Sequence, residues 1–147
     1  MNWYKMNKKK EVRIGVIGYS AQKFDKAKAS EFINEAFDEI ENENTNAEFS
    51  VVSGLSDMGI PAIAYKEANK RKWETVGIAP KVVEDYDLYP CDKKHIIGKD
   101  WGEESNFFLD YIDVLVKIGG GKQSNQESKK AKEKGIVVKN YELESQD

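Results

Sequence analysis

Short apolar runs alternate along this chain with longer segments in which apolar residues recur at helical spacing. The runs are only a few residues long, rich in β-branched side chains and mostly closed by glycine or proline, which is typical of buried parallel strands. They predict five strands, at 12–17, 49–53, 75–79, 114–118 and 136–139.

The segments between the strands predict helices. The clearest has apolar residues at relative spacings of 3, 4, 7, 8 and 11, the period of an amphipathic helix: Ala29, Phe32, Ile33, Ala36, Phe37 and Ile40. A second helix follows Ile60, with Pro61 in its first turn. A third takes in residues 107–112, and a last, polar helix runs over about 124–134 and ends at Gly135.

This alternation predicts an α/β fold, an open parallel Rossmann-like sheet of about five strands with helices on both faces. Ligands bind such sheets beyond the carboxyl ends of the strands. We therefore expect the glycine-bearing turns after three strands to share one rim: 18–20, 53–54 and 119–121.

Residues 81–104 show neither the helical nor the strand period of apolar residues, although they contain several aromatic side chains. A long irregular segment in a compact domain is usually functional or disordered. Two interpretations stay open: a lid or ligand wall, hinged near Trp101 and Gly102, or a surface excursion that covers one edge of the sheet.

Composition narrows the class of protein. The 147 residues predict a single domain over 1–147, with 1–11 and 142–147 as loose tails. A net charge of −3 without a basic face argues against a nucleic-acid partner, and no apolar run approaches the length of a membrane span. Cys91 is the only cysteine, so an intrachain disulfide is excluded, and a cytoplasmic protein without a leader is expected.

The candidate chemistry is concentrated after the fourth predicted strand. Three glycines let the backbone N–H groups approach a ligand, and the helix start beyond them adds unpaired donors and a positive dipole end. This arrangement predicts an anion site, most often for phosphate. The candidate phosphate-binding residues are Gly119, Gly120, Gly121, Lys122, Gln123 and Ser124.

Other residues on the predicted rim are candidates for contact with a sugar or a base. They are Gly18, Tyr19, Ser20, Ser53 and Gly54. The glycine run has neither the spacing of a P-loop nor that of a dinucleotide fingerprint, which disfavours ATP hydrolysis and NAD-dependent redox chemistry. Nothing in the sequence requires a metal or a cofactor.

Glu127 has two interpretations. Ser124 and Glu127 have the spacing of a capping box, in which both side chains satisfy free N–H groups at the helix start. Alternatively, Glu127 is a catalytic carboxylate on the ligand rim that assists the cleavage of a glycosidic bond.

Two motifs resemble a known family. Residues 52–60, Val-Ser-Gly-Leu-Ser-Asp-Met-Gly-Ile, resemble the glycine-rich second motif of the Rossmann-like lysine-decarboxylase-like superfamily. That group includes the Lonely Guy enzymes, molybdenum-cofactor carrier proteins and the DNA-processing protein A domain. Residues 118–127 resemble its Pro-Gly-Gly-x-Gly-Thr-x-x-Glu signature, with Gln123 in place of the third glycine and Ile118 in place of the proline.

The resemblance implies a nucleotide-binding fold, often dimeric, and in the Lonely Guy branch a phosphoribohydrolase that uses the motif glutamate, here Glu127. The arginine that accompanies this glutamate in the enzymes has no clear counterpart. Three hypotheses follow: a protein that binds a nucleotide or sugar-phosphate, an enzyme that cleaves the N-glycosidic bond of a nucleoside monophosphate, and a homodimeric carrier or adaptor that acts through protein contacts.

Overall fold

A computed structural model describes residues 9–147, which form one parallel six-stranded sheet. The strands are β1 (Lys10–Gly18), β2 (Ala47–Ser53), β3 (Glu74–Ala79), β4 (Lys93–Ile96), β5 (Val114–Ile118) and β6 (Val137–Tyr141). Their order across the sheet is β4-β3-β2-β1-β5-β6. The predicted α/β class is confirmed, with one strand more than expected.

Four helices cover the two faces of the sheet. They are α1 (Lys26–Glu43), α2 (Gly59–Lys70), α3 (Ser105–Tyr111) and α4 (Lys122–Glu133). One core cluster packs α1 and α2 against the sheet, and a second packs α3 and α4 against it from the other side. Parallel strands buried on both faces explain why the strand runs read as nearly continuous apolar segments.

Helix α1 shows how local sequence sets an element. The Asp25 carboxylate accepts a hydrogen bond from the Lys28 N–H (3.0 Å) and thereby caps the helix start. Its predicted apolar face is buried, apart from the partly buried Phe32. The helix therefore begins at a side-chain cap. Its buried apolar face is the one that the sequence predicts.

The segment 81–104 contains the strand that the sequence pattern did not show. A 3₁₀ helix covers Lys81–Asp85, and β4 then pairs in parallel with the outer edge of β3. Part of the segment therefore covers a sheet edge, as one of the two interpretations expected.

The chain ends differ from the predicted loose tails. Residues 1–8 lie outside the described structure, but Lys10 and Glu11 are already part of β1 and pair with β2. At the other end, residues 142–147 have no regular structure, yet the Gln146 N–H donates to the Lys23 carbonyl oxygen (2.7 Å). The carboxyl-terminal segment is thus attached to the loop that follows β1. Between residues 9 and 147, no helix has the length and apolarity that crossing a bilayer requires.

Candidate functional site

A cavity of about 290 Å³ lies beyond the carboxyl ends of the strands. Strands β1 and β5 are neighbours in the sheet, but the chain runs from β1 to β2 on one side and from β5 to β6 on the other. This reversal makes their carboxyl ends the topological switch point, the usual ligand site of such sheets. Gly18, Gly54 and Gly121 all line the cavity, so the structure brings the three glycine turns together.

A backbone hydrogen bond joins two of these turns directly. The Ile60 N–H, at the start of α2, donates to the Tyr19 carbonyl oxygen (2.8 Å). Gly59 has a φ of +66°, and a Cβ there would lie 2.4 Å from that same oxygen. The close approach of the two loops therefore depends on glycine at this position.

Helix α4 presents free N–H groups to the cavity. Gly121 is its N-cap and has no side chain to cap it, and Lys122, Gln123 and Ser124 form the first turn. Within residues 9–147, no acceptor lies within hydrogen-bond distance of the three N–H groups of that turn. Since all three residues line the cavity, these donors and the positive end of the helix dipole face an open volume.

The predicted capping box is not formed. The helix starts at Lys122, two residues earlier than expected, so Ser124 lies in its first turn rather than at its N-cap. The Glu127 carboxylate instead accepts a hydrogen bond from the Ser105 hydroxyl at the start of α3 (2.8 Å). The capping interpretation of Glu127 is therefore wrong, and the residue lines the cavity.

Only the last of the three glycines reaches the cavity. The Gly119 N–H donates to the Tyr141 carbonyl oxygen (2.9 Å), so this amide is not available to a ligand. Gly119 and Gly120 have φ values of +57° and +106°, which glycine adopts without strain. These two residues shape the turn between β5 and α4, while Gly121 lines the cavity.

Among the candidates for sugar or base contact, Tyr19 lies outside the cavity lining, whereas Gly18, Ser20, Ser53 and Gly54 line it. The Tyr19 ring stacks on Phe24 (5.8 Å between centroids), and its hydroxyl donates to the Leu143 carbonyl oxygen (2.7 Å). Tyr19 therefore binds the carboxyl-terminal segment. The Ser53 hydroxyl donates to the Val16 carbonyl oxygen (2.6 Å), which leaves its oxygen as an acceptor.

A second acidic side chain, which the sequence analysis did not select as a site residue, shares the cavity with Glu127. Glu104 is 6% exposed and Glu127 is 7% exposed, and both line the cavity together with Trp101. The Gly102 N–H donates to Glu104 Oε1 (2.9 Å). Trp101 and Glu104 thus support the ligand-wall interpretation for the end of segment 81–104. Only the fold shows that Glu104, and not the adjacent Glu103, lines the cavity.

Burial raises the pKa of both carboxyl groups. For Glu127 the largest cause is the loss of hydration, and the nearby Glu104 carboxylate adds to it, while the Ser105 hydroxyl opposes the rise. For Glu104 the loss of hydration is again the largest cause. The cavity therefore combines an electropositive helix start with two acids whose charged form is disfavoured by burial.

A Glu127→Gln variant is expected to be more stable than the wild type at pH 7 to 8. Because the pKa of Glu127 is higher in the folded chain than in the unfolded chain, its burial costs nothing below the unfolded pKa of about 4.3. The cost appears as the pH rises through the folded pKa, and glutamine removes it while still accepting from Ser105. Urea unfolding at a series of pH values measures this, and a stability gain that is independent of pH would contradict it.

Residues 9–147 contain no cluster of three or more His, Cys, Asp or Glu side chains that could hold a metal ion. The ionisable residues that line the cavity are Lys122, Glu104 and Glu127.

No family model matches the chain, and no curated protein matches it in sequence. Its fold is nevertheless found among solved structures. The molybdenum cofactor carrier protein of Chlamydomonas reinhardtii has a TM-score of 0.71 at 20% identity, over 90% of this chain and 76% of that one. The molybdenum cofactor binding protein of the phototrophic bacterium Rippkaea orientalis has a TM-score of 0.65 at 18% identity, over 91% and 78%.

A third solved structure, the protein TM1055, has a TM-score of 0.68 at 22% identity, over 86% of this chain and 72% of that one. These similarities confirm the predicted Rossmann-like α/β fold. At such identities they establish the fold alone.

Proposed function

We propose that this chain binds a nucleotide or a nucleotide-derived phosphorylated ligand in the cavity, with the phosphate at the amino end of α4. The observation that carries the proposal is the set of three unpaired N–H groups of the first turn of α4, which face a volume of about 290 Å³. A helix start of this kind is a ready anion site. The Lys122 side chain lines the same wall and supplies a positive charge.

The sugar and the base of such a ligand would lie against the turns after β1 and β2. Gly18, Ser20 and Gly54 provide backbone and hydroxyl groups there. One protein with this fold is named as a carrier of the molybdenum cofactor and another as a binding protein for it, which makes that cofactor one ligand to test. We further propose a cytoplasmic protein that acts as a homodimer.

Thermal unfolding in the presence of ligands tests the proposal. A panel of nucleoside monophosphates, inorganic phosphate and the molybdenum cofactor is added to the whole protein. A ligand at 100 times its dissociation constant stabilises the fold by about 2.7 kcal/mol. No shift with any compound of the panel would refute binding of this ligand class.

A Lys122→Ala variant is expected to bind the best phosphorylated ligand of that panel about tenfold more weakly, because a charge-assisted hydrogen bond to phosphate is lost. Isothermal titration calorimetry measures the change. Lys129→Ala, on the exposed part of the same helix, is the matched control and should bind as the wild type does. Equal affinities of the two variants would remove Lys122 from the phosphate site.

A second candidate function, hydrolysis of the N-glycosidic bond of a nucleoside monophosphate, is supported by Glu127. This carboxyl group lines the cavity, and burial raises its pKa, as suits a group that exchanges protons with a substrate near neutral pH. Incubation with nucleoside monophosphates and chromatography of the products tests it. Release of free base supports the enzyme, while binding without release supports a carrier.

The third candidate, a homodimeric carrier or adaptor, is supported by the name of one protein with this fold, the molybdenum cofactor carrier protein. Large apolar side chains are exposed on the surface and provide candidate contacts: Met58, Tyr86, Trp101, Phe107 and Val137. Sedimentation equilibrium measures the oligomeric state, and a monomer at all concentrations would refute the homodimer.

A further inference from the structure

We propose that Glu104 is a specificity-determining residue that fixes the orientation in which the ligand binds. With Glu127 it forms an acceptor pair that binds O–H or N–H donors on the organic part of the ligand and excludes a second anionic group. This inference deepens the proposed function and rests on it, since it takes the phosphate to lie at the amino end of α4.

The two carboxyl groups are held close to the same element. Glu104 immediately precedes α3, and Ser105, the first residue of that helix, donates to Glu127 Oε2 (2.8 Å). Glu104 Oε1 accepts from the Gly102 N–H (2.9 Å). Each carboxyl group thus accepts a hydrogen bond from the protein, and Glu127 also bonds to the Gln123 side chain, which orients both acids before any ligand arrives.

The second oxygen of Glu104 is the free one. Among residues 9–147, no other residue donates a hydrogen bond to Glu104 Oε2, although the side chain is more than nine-tenths buried. This oxygen is not completely buried, and the residue lines the cavity. An unpaired acceptor in a largely buried position therefore faces the volume that a ligand would fill.

No cation neutralises the pair. In the described part of the chain, neither Glu104 nor Glu127 forms an ion pair. Two other charged groups act on the pair, since Glu103 raises the pKa of Glu104 and Lys130 lowers the pKa of Glu127. Carboxylates in such a site attract hydrogen-bond donors strongly and repel anions.

The spacing along α4 separates this acceptor pair from the phosphate position. Glu127 lies five residues after Lys122, which corresponds to about 7.5 Å along the helix. Trp101 and Phe108 line the cavity beside Glu104 and keep water from part of its surroundings. The cavity therefore has an anion-binding end and an acceptor end, and a ligand with one phosphate and a donor-rich neutral part fits both.

Calorimetric titration of the whole protein with four probes tests the inference. The probes are inorganic phosphate, ribose 5-phosphate, guanosine 5′-monophosphate and guanosine 3′,5′-bisphosphate. In the wild type, at least one of the two organic monophosphates should bind at least tenfold more tightly than inorganic phosphate, and the bisphosphate at least tenfold more weakly than guanosine 5′-monophosphate. Ribose 5-phosphate distinguishes sugar hydroxyls from base N–H groups as the source of the donors.

In Glu104→Gln, the amide oxygen can still accept from Gly102 and the amide N–H then faces the cavity. We expect the advantage of the monophosphate over inorganic phosphate to fall about tenfold, with the affinity for inorganic phosphate unchanged or higher, and the bisphosphate to be admitted. Glu104→Ala is the second variant should the first not fold. Glu103→Gln is the matched control, because its exposed side chain accepts from Lys99 and Asp100 outside the cavity lining.

The outcomes separate the two proposals. Unchanged selectivity in Glu104→Gln, with phosphate still bound, would overturn the role of Glu104 and leave the phosphate site standing. Tight binding of the bisphosphate by the wild type would do the same. Failure of every probe to bind would overturn both.

Discussion

A Gly120→Ala variant should lose about 3 kcal/mol of its free energy of unfolding. Gly120 has a φ of +106°, and a side chain in that region strains the backbone by about 1–3 kcal/mol. The added Cβ would also lie 2.6 Å from Ser124 Cβ and 2.8 Å from Ser124 Oγ, and such overpacking adds about 1–3 kcal/mol. Urea unfolding of the two proteins measures the difference.

Two other glycines, one at each end of α4, distinguish the cost of backbone strain from the cost of steric crowding. Gly121→Ala should be nearly neutral, because its φ is −96° and its Cβ would be 4.0 Å from the nearest atom, Gln22 Nε2. Gly135→Ala carries strain alone, since its φ is +81° but no atom lies within 4 Å of the added Cβ. If Gly120→Ala is as stable as Gly121→Ala, the described turn is wrong.

The same geometry predicts weaker ligand binding in Gly120→Val. In the structure Gly120 is outside the cavity lining, and its side chain would press on Ser124 in the first turn of α4. The loss of binding therefore follows from a displaced helix start.

For the second candidate function, Glu127→Gln should lower the rate of base release by about a hundred- to ten-thousandfold. That is the usual contribution of a group that transfers a proton in the transition state. Glutamine keeps the shape of the side chain and the acceptor for the Ser105 hydroxyl, so the fold is retained. The initial rate of base release at saturating nucleoside monophosphate is the measurement.

Glu133→Gln is the control for this loss of rate, because Glu133 is exposed at the far end of the same helix and outside the cavity lining. It should release base at the rate of the wild type. A Glu127→Gln variant that is equally fast would show that another group supports the cleavage.

The sequence predicts well those helices and strands whose apolar residues recur with a regular period along the chain. The five predicted strands and the apolar face of α1 follow from side-chain periodicity, and both are found. Strand β4 was missed because it is an edge strand of four residues, Lys-Lys-His-Ile, with two exposed lysines. A polar edge strand protects a sheet against unwanted pairing. For the same reason it lacks the run of apolar residues from which strands are predicted.

The site was predictable as far as glycines and helix starts mark it. The sequence located the turns that line the cavity, but it left open whether Ser124 and Glu127 form a local cap or Glu127 lies on the rim. Tertiary structure decides against the cap, because the helix begins at Lys122 and Ser105 from another helix donates to Glu127. Glu104 was not selected for the same reason: its role depends on a neighbour that lies far away in sequence.

Residues 142–147 are attached to a loop that lines the cavity. Leu143 and Gln146 hold Tyr19 and Lys23 through hydrogen bonds, and the Asp147 carboxylate accepts from the Lys23 N–H (3.3 Å). The loop they fasten also supplies Ser20 and Gln22 to the cavity wall. A purification tag fused after Asp147, or a recombinant version trimmed at Tyr141, therefore alters a wall of the pocket and is a poor choice for ligand screening.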